Sequence, residues 1–180
     1  MDTASWTPSC MLVFSVLCRF AGVPLSKRDI AKHAGVSPMS ASNAVRMLES
    51  EGLVTVVRVK TVDQVVIDLS DHRAVAIKRA ENLKRIALSG LVERIEEAAP
   101  ESTIVLFGSY SFGEDVSNSD IDIALVGRSS VDLDLSRFES ELFRTIHVSA
   151  FQSWSHIDTH LRNSILSGIV LSGRVMLEMT

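Results

Sequence analysis

The sequence predicts an α+β protein built in two units. Two features predict this. A helical first part closes on paired β-branched runs, and a later part alternates short apolar strands with helices around a Gly-Ser and two aspartates. A long helical stretch lies between them, so the expected division is residues 1–70, a connector helix at 71–99, and a second unit at 100–180.

The first helix is expected from Ser9 to Phe20, almost wholly apolar and therefore buried, and Ala21-Gly22-Val23-Pro24 ends it. Ser26 reads as the N-cap of a helix from Lys27 to His33, with Asp29 three residues on as a variant capping box. Gly35 permits a sharp turn. Ser37 then caps a helix that carries Pro38 at its first position and runs to about Glu51, where Gly52 stops it. The runs "LVTVVRVK" and "QVVIDL", separated by a short polar turn, read as a hairpin. From Asp71 to Ala99, Val75, Ile77, Leu83, Ile86, Leu91 and Ile95 mostly keep helical spacing until Pro100.

In the second unit, strands are expected at Thr103–Phe107, Asp120–Val126 and Ile146–Phe151. Helices are expected after Gly108-Ser109, over Leu133–Thr145 and over Ile157–Leu166. Ile169–Leu171 and Val175–Leu177 add short extended pieces, which gives a small mixed sheet.

Apolar residues make up 46% of the 180, enough for a packed core and against wholesale disorder. The net charge of −4 is uneven. Residues 1–98 hold 13 basic against 11 acidic side chains (+2), and residues 99–180 hold 5 against 11 (−6). That asymmetry suggests different partners for the two parts. Cys10 and Cys18 fall in one helix and offer no disulfide framework, which suits a reducing cytoplasm. The run Met11–Leu17 is too short to cross a bilayer and lacks the marks of a signal peptide, so no membrane association is expected.

The pair Asp120 and Asp122 needs its own explanation. Residues two apart on a strand share a face, so these carboxylates stand together while Ile121 and Ile123 face the core. Like charges side by side repel, and each is penalised by burial. A divalent cation relieves both costs, and Mg²⁺ commonly completes its shell with water and phosphate oxygens. Gly108 lets backbone approach closely, Ser109 offers a hydroxyl, and Gly113 frees the chain to turn towards the strand.

Two resemblances attach to these residues. "LSKRDIAKHAGVSPMSASNAVRMLESEGLVTVVRV" resembles the winged helix-turn-helix family over roughly residues 9–70. The resemblance implies a recognition helix from Pro38 that meets double-stranded DNA. Pro38, Met39, Ser40, Ser42, Asn43 and Arg46 would face outward, and Arg58 and Lys60 on the hairpin would reach the backbone. Winged helices also serve as protein docking modules, and they commonly dimerise, so a homodimer belongs among the expectations.

"FGSYSFGEDVSNSDIDI" resembles the minimal nucleotidyltransferases of the DNA polymerase β superfamily, whose signature is an apolar strand, Gly-Ser, a short segment and Asp-apolar-Asp. Gly108, Ser109, Gly113, Ser119, Asp120 and Asp122 fit it. The resemblance implies a nucleoside triphosphate, most plainly ATP, held by Gly108, Ser109, Gly113 and Ser119. It also implies Mg²⁺ in a two-ion site on Asp120 and Asp122. AMP would pass to a protein or RNA acceptor. Where active members carry a third carboxylate, this chain offers His147 in "TIHVSAF", a base or a poor metal ligand, or a histidine that merely lines a polar groove. Glu114, Asp115 and Asp158 are the loop alternatives.

The fusion of a winged helix to a minimal nucleotidyltransferase resembles a prokaryotic and archaeal family of that architecture. Minimal members elsewhere act as antitoxins that adenylylate a partner toxin. The readings are therefore a nucleotidyltransferase coupled to DNA binding, a nucleotide-sensing transcriptional regulator, or an antitoxin-like module with a weakened catalytic domain.

Overall fold

The structure is a computed structural model, and residues 6–176 are described. The chain forms two compact units, Met1–Glu81 and Asn82–Thr180.

The first unit begins with α1 (Pro8–Arg19), capped by the Thr7 hydroxyl, which accepts from the Cys10 amide at 3.2 Å. The short strand β1 (Leu25–Ser26) leads directly into α2 (Lys27–Ala34). The capping box forms as the sequence predicts: Ser26 Oγ accepts from the Asp29 amide at 3.1 Å and donates to Asp29 Oδ2 at 2.6 Å. Gly35, with φ at 64°, closes α2, and Ser37 caps α3 (Pro38–Ser50). The hairpin is β2 (Val54–Val59) and β3 (Val62–Ile67).

These strands form an antiparallel sheet in the order β1-β3-β2, with Val65 between Leu25 and Val56. Phe14, Leu17, Ile30, Leu48 and Val65 fill the core between the helices and this sheet. Burying each such side chain stabilises the fold by roughly 1.5–3 kcal/mol before entropy is counted. Strand β1 was not expected, because two residues carry no alternation of their own and only pairing with β3 defines them.

The stretch expected as one helix over 71–99 is two. Helix α4 (His72–Ser89) ends at Gly90, which is left-handed with φ at 75°, and α5 (Leu91–Ala98) starts afresh. Ser89 Oγ donates to the Ile86 carbonyl at 2.7 Å and accepts from the Leu91 amide at 3.2 Å, which fixes the break. The boundary between the units falls inside α4.

The second unit continues with β4 (Thr103–Phe107), α6 (Gly108–Phe112), β5 (Ile121–Val126), α7 (Ser136–Leu142), β6 (Ile146–Phe151), α8 (Thr159–Leu166) and β7 (Ile169–Ser172). Its sheet runs β6-β5-β4-β7. Strands β5 and β6 are parallel and the other pairs antiparallel, so the mixed sheet is as expected. Ile104, Leu106, Ile121, Ile123 and Leu125 pack on one face with Ile86, Leu91, Ile95 and Phe138. Val105, Ala124 and Val126 pack on the other with Trp154, Ile157 and Ile165. Asp120 lies just before β5 rather than in it.

Helix α7 is shorter than the predicted Leu133–Thr145. Asp134 Oδ1 takes the Ser136 amide at 3.0 Å and its hydroxyl at 2.6 Å, so a turn precedes the helix. The predicted Ile157–Leu166 helix starts later, at Thr159, because Asp158 caps it, accepting from the His160 amide at 2.9 Å. Val175 and Met176 lie outside any strand, and Leu177 lies outside the described residues.

Candidate active site

Asp122 is the pivot of the second unit's polar centre. On β5 it stands opposite Phe107, the last residue of β4, and opposite His147 on β6. Gly108 follows Phe107 with φ at 71°, and a Cβ added there would come within 2.5 Å of Asp122 Oδ2. Any side chain at Gly108 therefore displaces the carboxylate or the turn.

Asp120, in the loop just before β5, completes the pair. Its Oδ2 lies 3.4 Å from His147 Nε2, with both side chains about half exposed. Burial pushes the Asp122 carboxyl above the usual aspartate range. His147 pulls against that shift, and the charge of Asp120 adds to it. The sequence-predicted Asp120, Asp122 and His147 thus lie side by side, with Gly108 against Asp122, though no group of three or more His, Cys, Asp or Glu among the described residues is arranged to hold a metal ion.

The remaining predicted residues of this unit have distinct local roles. Ser109 lies in the first turn of α6, and its carbonyl accepts the Glu114 amide at 3.1 Å. Gly113 is buried and left-handed, with φ at 78°, and its part is to end α6 and release the chain. Ser119 Oγ accepts the Val116 amide at 3.0 Å, which shapes the loop that delivers Asp120.

Among the loop alternatives, Asp115 turns inward. It is fully buried, accepts from Asn82 Nδ2 at 2.6 Å and pairs with Arg144 Nη2 at 3.4 Å. It belongs to the scaffold and is closed to a ligand. Asp158 is committed to capping α8, and Glu114 is exposed. His156 ends a 3₁₀ turn, where its Nδ1 lies 2.8 Å from Ser153 Oγ, and His160 lies in α8.

Sequence reasoning missed the support under this site. Asn82 donates to the Tyr110 carbonyl at 3.0 Å as well as to Asp115, and so ties α4 to α6. Arg85 donates to the Leu142 carbonyl at 2.8 Å. The detectable signal was the spacing of Ala74, Lys78, Asn82 and Ile86, four apart and all buried, which an apolar template passes over because two of them are polar.

In the first unit, Pro38, Met39, Asn43 and Arg46 on α3, and Arg58 and Lys60 on the hairpin, are exposed, while Ser40 and Ser42 are half-buried. Ser40 is committed to the cap of α3, its amide donating to Ser37 Oγ at 3.1 Å. Ser40 and Asn43 line a cleft of about 380 Å³ with Thr7, Ser9 and Met47.

Residues 88–170 match the family model described as a nucleotidyltransferase domain. The match supports the nucleotidyltransferase superfamily, with general nucleotidyl transfer as its chemistry. It spans β4, β5 and β6 and reaches into β7, and it includes Gly108, Asp120, Asp122 and His147. No curated protein matches the chain. Among solved structures, the chain is similar to the E41A mutant of Lactococcus lactis ZitR. The TM-score is 0.41 and the identity 13%, over 54% of this chain and 64% of that one. No helix among the described residues is long and apolar enough to cross a membrane.

Proposed function

We propose that the chain is a Mg²⁺-dependent nucleotidyltransferase. It moves a nucleoside monophosphate, AMP from ATP, to a hydroxyl of a protein or RNA acceptor, and its first unit is a winged helix-turn-helix that binds DNA. One observation carries the reading: Asp122 lies between the backbone of Gly108 and His147, with Asp120 just before the strand and against His147.

The donor set fits Mg²⁺. Two neighbouring carboxylates are hard oxygen ligands, and burial together with the charge of Asp120 raises the Asp122 carboxyl against the pull of His147. The described residues hold no cluster of three or more His, Cys, Asp or Glu that would enclose an ion by themselves. Such a site suits a cation whose remaining ligands are water and phosphate. When bound, Mg²⁺ supplies charge neutralisation on the triphosphate.

The chain's own groups supply position. Gly108 and Ser109 would admit the phosphate chain beside Asp122, and Asp120 and Asp122 would hold the cation. His147, beside Asp120, would accept the proton of the attacking hydroxyl. Pyrophosphate leaves. Incubation with ATP labelled at the α-phosphate, Mg²⁺ and candidate acceptors tests the proposal. Labelling that persists in an Asp120→Asn, Asp122→Asn double variant would sink it.

A second reading rests on His147 itself. An imidazole at the third position is a weaker ligand for a hard cation than a carboxylate. That favours a domain that binds nucleotide and regulates DNA or a partner protein with little turnover. ATP-dependent DNA affinity without label transfer would select it.

A further inference from the structure

Three buried polar side chains join the segments that carry the site. Asn82 Nδ2 donates to Asp115 Oδ1 at 2.6 Å and to the Tyr110 carbonyl at 3.0 Å, and Asp115 Oδ2 pairs with Arg144 Nη2 at 3.4 Å. All three are buried, so water does not readily replace a bond broken among them. Tyr110 lies two residues after Gly108, Asp115 five before Asp120, and Arg144 three before His147.

The contacts close a circuit around Asp120. Residues 114–120 form neither helix nor strand. Within them, the Ser119 amide donates to the Val116 carbonyl at 2.9 Å and the Val116 amide to Ser119 Oγ at 3.0 Å, so a tight turn separates Asp115 from Asp120. Beyond Asp120, the Ile121 amide donates to the Thr145 carbonyl at 2.9 Å, next to Arg144. The segment is therefore tied at both ends to the same two residues, Arg144 and Thr145, and His147 follows two residues later.

Asp122 is placed differently. It sits inside the sheet, paired with Phe107 and His147, and its position does not depend on the Asp115 contact. Asp120 precedes β5 and has no such ladder. A buried ion pair adds little net stability, because desolvation offsets its attraction. Misplacing a reacting group by about 1 Å, in contrast, costs on the order of a hundredfold in rate. The use of Asn82, Asp115 and Arg144 lies in precision.

We propose that Asn82, Asp115 and Arg144 are positioning residues that hold Asp120 in its place beside His147. The inference rests on the nucleotidyl-transfer reading, in which Asp120 is a ligand for the cation on the nucleotide.

The test uses the full chain and calorimetric titration with Mg²⁺ and α,β-methylene-ATP, which withholds turnover, alongside thermal melts. Asn82→Ala and Arg144→Met should each weaken binding about tenfold or more, as loss of a group that orients a metal ligand does. In an Asp120→Asn background the same substitutions should change the affinity by no more than about twofold, because the residue they act through is already gone. Ile165→Ala removes a core side chain from the opposite face of the sheet. It should lower the melting temperature and leave the affinity as it is. Unchanged affinity in a folded Asn82→Ala overturns the proposal, whether or not Arg144→Met folds. So does a full further loss in the Asp120→Asn background, or an equal loss in Ile165→Ala, since either marks a general effect on the fold. A wild type that does not bind the nucleotide with Mg²⁺ overturns the transfer reading itself, and this inference with it.

Discussion

The carboxylate of Asp122 occupies the space a side chain on Gly108 would need. A Cβ there would come within 2.5 Å of Oδ2, from a backbone already at φ 71°. Both effects oppose substitution. Gly108→Ala should cost about 1–3 kcal/mol from the left-handed backbone alone. It should also push Asp122 from its position and weaken ATP–Mg²⁺ binding tenfold or more. Calorimetry and thermal melts on the same preparation measure both. Wild-type nucleotide affinity in this variant would remove the close approach from the site's design.

The raised carboxyl of Asp122 gives a pH signature. A carboxyl easier to protonate in the folded chain than in the unfolded chain makes the fold lose stability as pH rises through the aspartate range. The unfolded chain releases its proton first. Above that window the penalty is complete. Asp122→Asn removes it, so the variant should melt higher than wild type near pH 7, and the gap should close towards about pH 4. Excess ATP and Mg²⁺ should reverse the order by stabilising only the wild type. A variant that melts lower at both pH values contradicts the account.

Much of this was legible beforehand. Ser26 with Asp29 and Ser37 with Pro38 announce helix starts because caps act through neighbours three residues away. The strand at Asp122 was legible because alternation fixes which residues share a face, whereas His147 was reached only through the family resemblance. The hidden parts depend on distant chain. Strand β1 exists only through β3, the break at Gly90 is a backbone choice inside an otherwise helical pattern, and Asp115 looked like a spare ligand until Arg144 and Asn82 claimed it. Phe143 takes its left-handed backbone as the C-cap of α7, a place where the sequence offers no glycine to announce it.

The buried pair Asp115–Arg144 should behave as scaffold. Both side chains are almost wholly excluded from water, at 0% and 2% exposure. Removing one partner leaves an uncompensated charge, so Arg144→Met should cost about 3–5 kcal/mol. The double variant Arg144→Met, Asp115→Leu should regain part of that, because neither charge remains. Chemical denaturation of the four proteins in the cycle measures the coupling. Additive losses would show that the two side chains act independently.

The first unit's proposed role predicts a salt dependence. Arg46 on α3 and Arg58 on the hairpin are exposed, and each would neutralise one phosphate if this face meets DNA. Replacing either with alanine should lower the slope of log affinity against log salt by about 1 and weaken binding across sequences alike. Exposed Asn43 would instead read a base, so Asn43→Ala should leave the slope unchanged and cost about 1–3 kcal/mol on a preferred site only. Gel shifts across a salt series, with one preferred and one scrambled duplex, separate the two kinds of loss. An unaltered slope in both arginine variants would take the DNA backbone off this face and leave α3 and the hairpin to a protein partner.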